Sequence, residues 1–163
     1  MNYQAKLPTP FGMLGIRCEA DALTGIDFLE PSATPLPPSQ AFAREVCEQL
    51  QAYFIDPIFH FNLSLKLNGT AHQTKVWQAI SAIPSGQTRN YGDLATLLGS
   101  SPRAVGQACG ANPIPIVIPC HRVVSKSGIG GFIHQRGGDA LDIKCWLLAY
   151  ENNQTKESVG LRS

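Results

Sequence analysis

Asn90-Tyr91-Gly92-Asp93-Leu94-Ala95-Thr96-Leu97-Leu98-Gly99-Ser100-Ser101-Pro102-Arg103-Ala104-Val105-Gly106 is the stretch whose reading decides the fold of this chain. A short helix begins near Asn90, with Asp93 in its first turn, where a carboxylate complements the helix dipole. Leu94, Leu97 and Leu98 are expected to face inward, and Gly99 supplies the left-handed stop. Ser101 followed by Pro102 is an N-cap with proline at the first helical position, opening a second helix that ends by Gly110. Two short helices joined by a glycine turn have the spacing of a helix-turn-helix, whose second helix can enter a DNA groove. Arg103 lies at its leading end, and Ala104, Gly106 and Ala108 keep the helix surface small enough for close backbone approach. A plain helical hairpin with a solvated arginine is the alternative at this point.

Upstream, Thr70 and Gln73 form a capping box before a helix whose apolar face carries Val76, Ala79, Ile80 and Ile83 and which ends at 84–86. Trp77 and His72 read as packing and surface residues. Asn68-Gly69 marks a domain boundary. Before it, 14–18 and 26–29 flank a turn-rich segment and read as a hairpin, and 31–38 contains four prolines. Ser39 is the expected N-cap of a helix through Phe42, Val46, Leu50 and Tyr53, stopped at Asp56-Pro57. Phe59, Phe61, Leu63, Leu65 and Leu67 alternate with polar residues, which predicts a strand with His60 on its solvent face.

Downstream, Pro113 and Pro115 force extended geometry and hold Asn112 in the same region. Val117-Ile118 is expected to be a buried strand leading to Pro119-Cys120-His121-Arg122-Val123-Val124. A thiol beside an imidazole is a candidate nucleophile and base, because a neighbouring base or positive charge is what populates the thiolate. A small buried hydrophobe is the competing reading of a free cysteine. A glycine-rich loop follows, then a last helix carrying Ile143, Trp146, Leu147 and Tyr150 with Glu151 at its end. The polar segment 152–163 is expected to be a disordered tail.

The fold class expected is thus α/β of the α+β kind. A small N-terminal sheet with a helix (1–68) precedes a mainly helical, winged-helix-like domain (69–151) that holds the helix-turn-helix and the cysteine. The bulk numbers agree with a globular protein: 163 residues, 44% hydrophobic and 15% charged. A net charge of +1 gives no global attraction to a polyanion, so any nucleic acid would be held by a local patch. Five widely spaced cysteines without a Cys-x-x-Cys pair point to reduced thiols and give no zinc signature. Positions 1–9 lack a signal peptide's apolar region, and no run approaches a membrane span, so a cytoplasmic protein with no membrane association is expected.

Thr88-Arg89-Asn90-Tyr91-Gly92, Arg103-Ala104-Val105-Gly106, Ala111-Asn112-Pro113, Pro119-Cys120-His121-Arg122-Val123-Val124 and Trp146-Leu147-Leu148 with Glu151 occur in one order and spacing. In these five motifs the chain resembles the O6-alkylguanine-DNA alkyltransferases over roughly residues 70–151. The resemblance implies a DNA repair protein that binds duplex DNA through the minor groove and flips out a guanine alkylated at O6. It then moves the alkyl group irreversibly onto its own cysteine. Cys120 is then the acceptor, His121 a base acting through a water, Glu151 the group that orients the imidazole, and Asn112 part of the same polar network. Tyr91 would assist rotation and contact the flipped base, with Val123 lending backbone recognition. Arg103 would fill the vacated place in the stack, with Ala104 and Gly106 on the same helix as further DNA-binding residues. Duplex DNA with O6-alkylguanine, and with O4-alkylthymine as a further lesion, is the implied partner of a monomer that needs no metal and no organic cofactor.

The segment between Phe132 and Gly137-Gly138 is about two residues longer than the family's common form, which bears on the residue that donates to guanine O6. His134 and Arg136 there read as solvated. Two other functions compete. A recognition-only relative would lack the acceptor cysteine, which is present here. A cysteine hydrolase built on Cys120, His121 and Glu151 would leave the helix-turn-helix and Arg103 without a role.

Overall fold

The structure, a computed structural model, describes residues 2–131 and 140–160, with 153–160 described as backbone alone. Among these, three strands form an antiparallel meander in the order β1 (Ala5–Thr9), β2 (Gly12–Glu19), β3 (Ala22–Leu29). The expected hairpin is β2–β3, turning at Ala20 with φ of 53°. β1 has no counterpart in the sequence reading, because Pro8 interrupts its pattern, yet proline is tolerated in an edge strand. The outer edge of β1 is covered by the proline-rich segment, through paired backbone bonds between Lys6 and Leu36.

Helix α1 (Ala41–Ile55) buries Val46, Leu50 and Tyr53 as their spacing requires. Its N-cap is Gln40 and not Ser39, whose carbonyl instead accepts a bond from Arg44 Nη2 at 2.9 Å. The alternation at 59–67 is present as faces, with odd positions half-buried and even ones, His60 included, exposed. It is no strand, however. Only Leu65 pairs, with Leu23, and the neighbouring backbone is satisfied by Leu23 and by the Gln49 side chain at Asn62. A period of two fixes which side is apolar but does not supply a continuous partner strand.

The capping box is complete: Thr70 accepts from Gln73 N and Gln73 Oε1 accepts from Thr70 N, both at 3.0 Å, starting α2 (Ala71–Ser81). Trp77 is buried and donates Nε1–H to the Ala108 carbonyl at 2.9 Å, tying α2 to the second helix of the pair. That pair is α3 (Tyr91–Leu98) and α4 (Pro102–Gly110). Gly99 at φ 63° closes α3 in a Schellman arrangement, with Gly99 N bonded to Thr96 O and Ser100 N to Ala95 O. Ser101 caps α4 by accepting from Ala104 N. Leu94 faces inward and Leu98 is half-buried, but Leu97 is 73% exposed, because an eight-residue helix turns it away from the core.

The expected strand at Val117-Ile118 is a turn instead, with Ile118 N bonded to Ile114 O at 2.9 Å and Ile116 at φ 76°. A β-branched residue in the left-handed region is strained, and here it sits four residues before Cys120. A short 3-10 turn (Cys120–Arg122) follows, then β5 (Val123–Val124), which pairs in parallel with β4 (Arg89–Asn90). The last helix, α5 (Ala140–Gly160), does not stop at Glu151. Its backbone stays helical through most of the segment expected to be a disordered tail, and 161–163 lie outside the described residues.

Buried side chains from the sheet, α1, α2, α3, α4 and α5 belong to one hydrophobic cluster that runs across the expected boundary at Asn68-Gly69. Phe11 packs edge-on against Trp146 at 5.4 Å, and Ile26 N donates to the Pro113 carbonyl at 3.0 Å. The meander therefore touches both α5 and the segment that leads to the cysteine. No helix among the described residues is long and apolar enough to cross a membrane.

Candidate active site

Cys120 opens the 3-10 turn and is 1% exposed. Its N–H donates to Ile118 O at 2.8 Å, and its Sγ accepts from Asn112 Nδ2 at 3.1 Å. Asn112 spends its whole amide here: Nδ2 also donates to Ile118 O at 2.8 Å, and Oδ1 accepts from Ile114 N at 2.9 Å. The flanking prolines leave this loop few backbone donors, so one side chain does what a strand ladder would otherwise do. Burial pushes the Cys120 thiol up to about 11, against the opposing pull of the Asn112 amide and the Lys144 ammonium. At neutral pH the sulfur is therefore a thiol and must lose its proton to a base.

The next residue is an imidazole, a side chain able to take a proton. His121 is fully buried, and its Nε2 lies 2.8 Å from Glu151 Oε2. A carboxylate only accepts, so Nε2 carries the hydrogen and Nδ1 presents a lone pair. That Nδ1 is buried and has no hydrogen-bond partner among the described residues. Burial lowers the imidazole pKa more than the Glu151 carboxylate raises it, which keeps the ring neutral and the Nδ1 lone pair unprotonated.

Glu151 is the hub. Oε2 also accepts from Tyr53 OH at 2.7 Å and from Arg122 Nη2 at 2.8 Å, while Oε1 accepts from Arg122 Nε at 2.9 Å. Burial alone would raise this carboxyl, but the His121 hydrogen bond and the forked Arg122 guanidinium outweigh it and hold the pKa at about 2. Arg122 is itself anchored by Nη1 on the Ile83 carbonyl.

Sequence reasoning brought Cys120, His121, Asn112 and Glu151 forward, and the structure gathers all four. It missed Tyr53, which was read as core and lies 98 residues from its partner. It also gave no role to Arg122 and none to Lys144. For Lys144 a signal existed: 144, 147 and 151 lie at spacings of three and four, which puts the lysine on the stripe that holds Leu147 and Glu151.

The residues expected to contact nucleic acid lie on α3, α4 and β5. Tyr91, at the start of α3, is half-buried, and its hydroxyl donates to Gly131 O at 3.4 Å. Burial raises that hydroxyl to about 12, so it stays a donor. Gly106 on α4 faces the same ring, since a Cβ there would stand 3.9 Å from it. Ala104 is half-buried, and Arg103 in the first turn of α4 is exposed. Val123 is buried, its N–H donating to Cys120 O and its carbonyl accepting from Lys144. The longer loop, with His134, Arg136 and the expected donor to guanine O6, lies outside the described residues.

Residues 71–153 match the family model for the 6-O-methylguanine DNA methyltransferase, DNA binding domain. Over 161 residues the chain is 40% identical to the methylated-DNA--protein-cysteine methyltransferase of Mycolicibacterium paratuberculosis, with 94% of each chain covered. It is similar to the crystal structure of Mycobacterium tuberculosis O6-methylguanine methyltransferase, with a TM-score of 0.79, 34% identity and coverage of 99% and 100% of the two chains. It is also similar to Mycobacterium tuberculosis OGT in complex with DNA, with a TM-score of 0.76, 37% identity and coverage of 91% and 92%.

Proposed function

This chain belongs to the 6-O-methylguanine DNA methyltransferase family, and from that premise we propose that Cys120 is the residue that takes the alkyl group. The protein binds DNA and repairs it by moving an alkyl group from O6 of guanine to its own cysteine. The observation that carries the assignment of Cys120 is its seat. The sulfur is held by Asn112 Nδ2 at 3.1 Å, beside a neutral imidazole whose other nitrogen is fixed by Glu151.

The step balances as an in-line displacement. The Cys120 proton passes through a bridging water to His121 Nδ1, and the thiolate attacks the alkyl carbon. The carbon–O6 bond breaks as the carbon–sulfur bond forms, and its electron pair goes to the guanine, which takes up a proton as it regains its normal form. The Tyr91 hydroxyl, a donor at neutral pH, is suited to stabilise the departing base. The target leaves the duplex to reach a sulfur this deeply buried, and unstacking costs a few kcal/mol. Arg103, exposed at the leading end of α4, would offset part of that by occupying the gap, with Ala104 and Gly106 allowing the helix to approach. The thioether is not cleaved by water, so each molecule acts once.

On this reading 69–151 carries recognition and transfer, and 1–68 buttresses it, Tyr53 reaching Glu151 from that side. The protein acts as a monomer in the cytoplasm, and O4-alkylthymine is a second lesion of the same chemistry. The test is intact and peptide mass spectrometry after mixing the protein with an equivalent of duplex carrying one O6-methylguanine. One methylene gained on the Cys120 peptide, with guanine restored, is the expected result. Lesion binding without any gain, or a gain on another cysteine, would overturn the assignment.

A further inference from the structure

Helix α4 presents a narrow face to solvent. Of its residues only Pro102, Arg103 and Gln107 are exposed, while Val105, Ala108, Cys109 and Gly110 are buried. Ala108 therefore takes no part in the small outward surface expected of this helix, and the residue that stands there instead is Gln107. It follows Arg103 by four positions, one turn on and on the same side, where Cβ atoms are about 5–6 Å apart. The amides of Gln49 and Gln73 are bonded to backbone groups of Asn62 and Thr70. That of Gln107 makes no hydrogen bond among the described residues, so its donor and its acceptor are both open to a partner.

On one flank of this face Gly106 meets the Tyr91 ring, the side on which a flipped base is received. We propose that Gln107 is a specificity-determining residue: its amide reads the minor-groove edge of a base pair beside the lesion and favours G·C over A·T there. The proposal rests on the alkyltransferase reading given above, with α4 entering the minor groove. On that edge guanine offers its N2 amine and N3, a donor and an acceptor, which Oε1 and Nε2 of one glutamine can meet together. Adenine and thymine offer acceptors alone, so one arm of the amide is left unpaired. Four residues of helix rise about 6 Å, less than two base-pair steps of about 3.4 Å each. The pair that is read thus lies within two steps of the place Arg103 fills.

Single-turnover transfer below saturation tests this on duplexes with one O6-methylguanine, in which each pair up to two steps away is in turn G·C, inosine·C, A·T or 2-aminoadenine·T. Inosine lacks the minor-groove amine of guanine and 2-aminoadenine adds it to adenine, while the major-groove edges stay as they were. Each rate is divided by that of Gln107→Ala on the same duplex, which cancels what the altered pair does to stacking and pairing. At one position this ratio is expected to be about fivefold higher with the amine than without it, the lower end of a bidentate contact's discrimination. Gln107→Met, which keeps the reach but not the hydrogen bonds, should match Gln107→Ala, and transfer from the free modified base should be alike in all three proteins. A ratio indifferent to the amine, a preference that survives in Gln107→Met, or slowed reaction with the free base would each overturn the reading role. Equal slowing by Gln107→Ala in every context would place the amide on the sugar-phosphate backbone and overturn it as well. Failure of the unsubstituted protein to transfer from any duplex would instead sink the alkyltransferase reading itself.

Discussion

Glu151 accepts from three residues with two oxygens, and everything it holds is buried or nearly so. Glu151→Gln keeps the shape but removes the charge facing Arg122 and the acceptor that fixes the His121 tautomer. Transfer should slow roughly a hundredfold, the scale of a misdirected general base, in a single-turnover assay. The same carboxylate sets a pH dependence. Its folded pKa of about 2 lies below the ordinary 4.5, so its stabilisation is complete above pH 4.5 and is lost as pH falls from there toward 2. The loss amounts to about 3 kcal/mol, and urea midpoints measured at pH 5.5 and pH 3 should show the wild type losing more than Glu151→Gln over that interval. At Arg103, exposed on α4, Arg103→Ala should slow repair in duplex DNA by roughly tenfold, the worth of part of an unstacking cost. Reaction with the free modified base should hardly change, and equal slowing of both would remove the stacking role.

Elements whose signals are local were legible in the sequence, and those decided by distant packing were not. Thr70 and Gln73, Asn90, Gly99 and Ser101 each specify a helix end within four residues, and each does so in the structure. Ser39 failed as a cap because the helix starts one turn position later and Arg44 takes its carbonyl. The segment 59–67 kept its faces but not its ladder, since pairing depends on where another backbone runs. The turn at 115–118 replaced an expected strand because Asn112, not a neighbouring strand, satisfies that backbone. Gly99 isolates the backbone contribution to the helix-turn-helix: it sits at φ 63°, and an added Cβ would meet nothing within 4 Å. Gly99→Ala should therefore cost about 1 kcal/mol, read as a lower urea midpoint at unchanged slope, with Gly99→Asn costing less.

At the scale of the whole molecule, the two expected domains share one buried cluster and one polar hub. The bond from Tyr53 in α1 to Glu151 in α5 spans 98 residues, and no spacing rule reads such a pair. The motifs placed Cys120, His121 and Glu151 together, whereas Tyr53, Arg122 and Lys144 emerged only once the chain was closed. A shared core predicts one cooperative transition, so circular dichroism and the fluorescence of Trp77 and Trp146 should give the same urea midpoint. Tyr53→Phe should cost about 1 kcal/mol of stability, read as a lower midpoint shared by all probes. Separate midpoints would mean that the halves fold independently.

A molecule that reacts once must stay competent until it meets its lesion, and its waiting time is open to chemical ageing. Asparagine ages when the nitrogen of the next residue closes a ring on the side-chain amide and expels ammonia. For Asn112, whose amide seats the reactive sulfur, that nitrogen belongs to Pro113, which has no hydrogen to give up. The residue that stiffens the loop also protects the shelf life of the reagent.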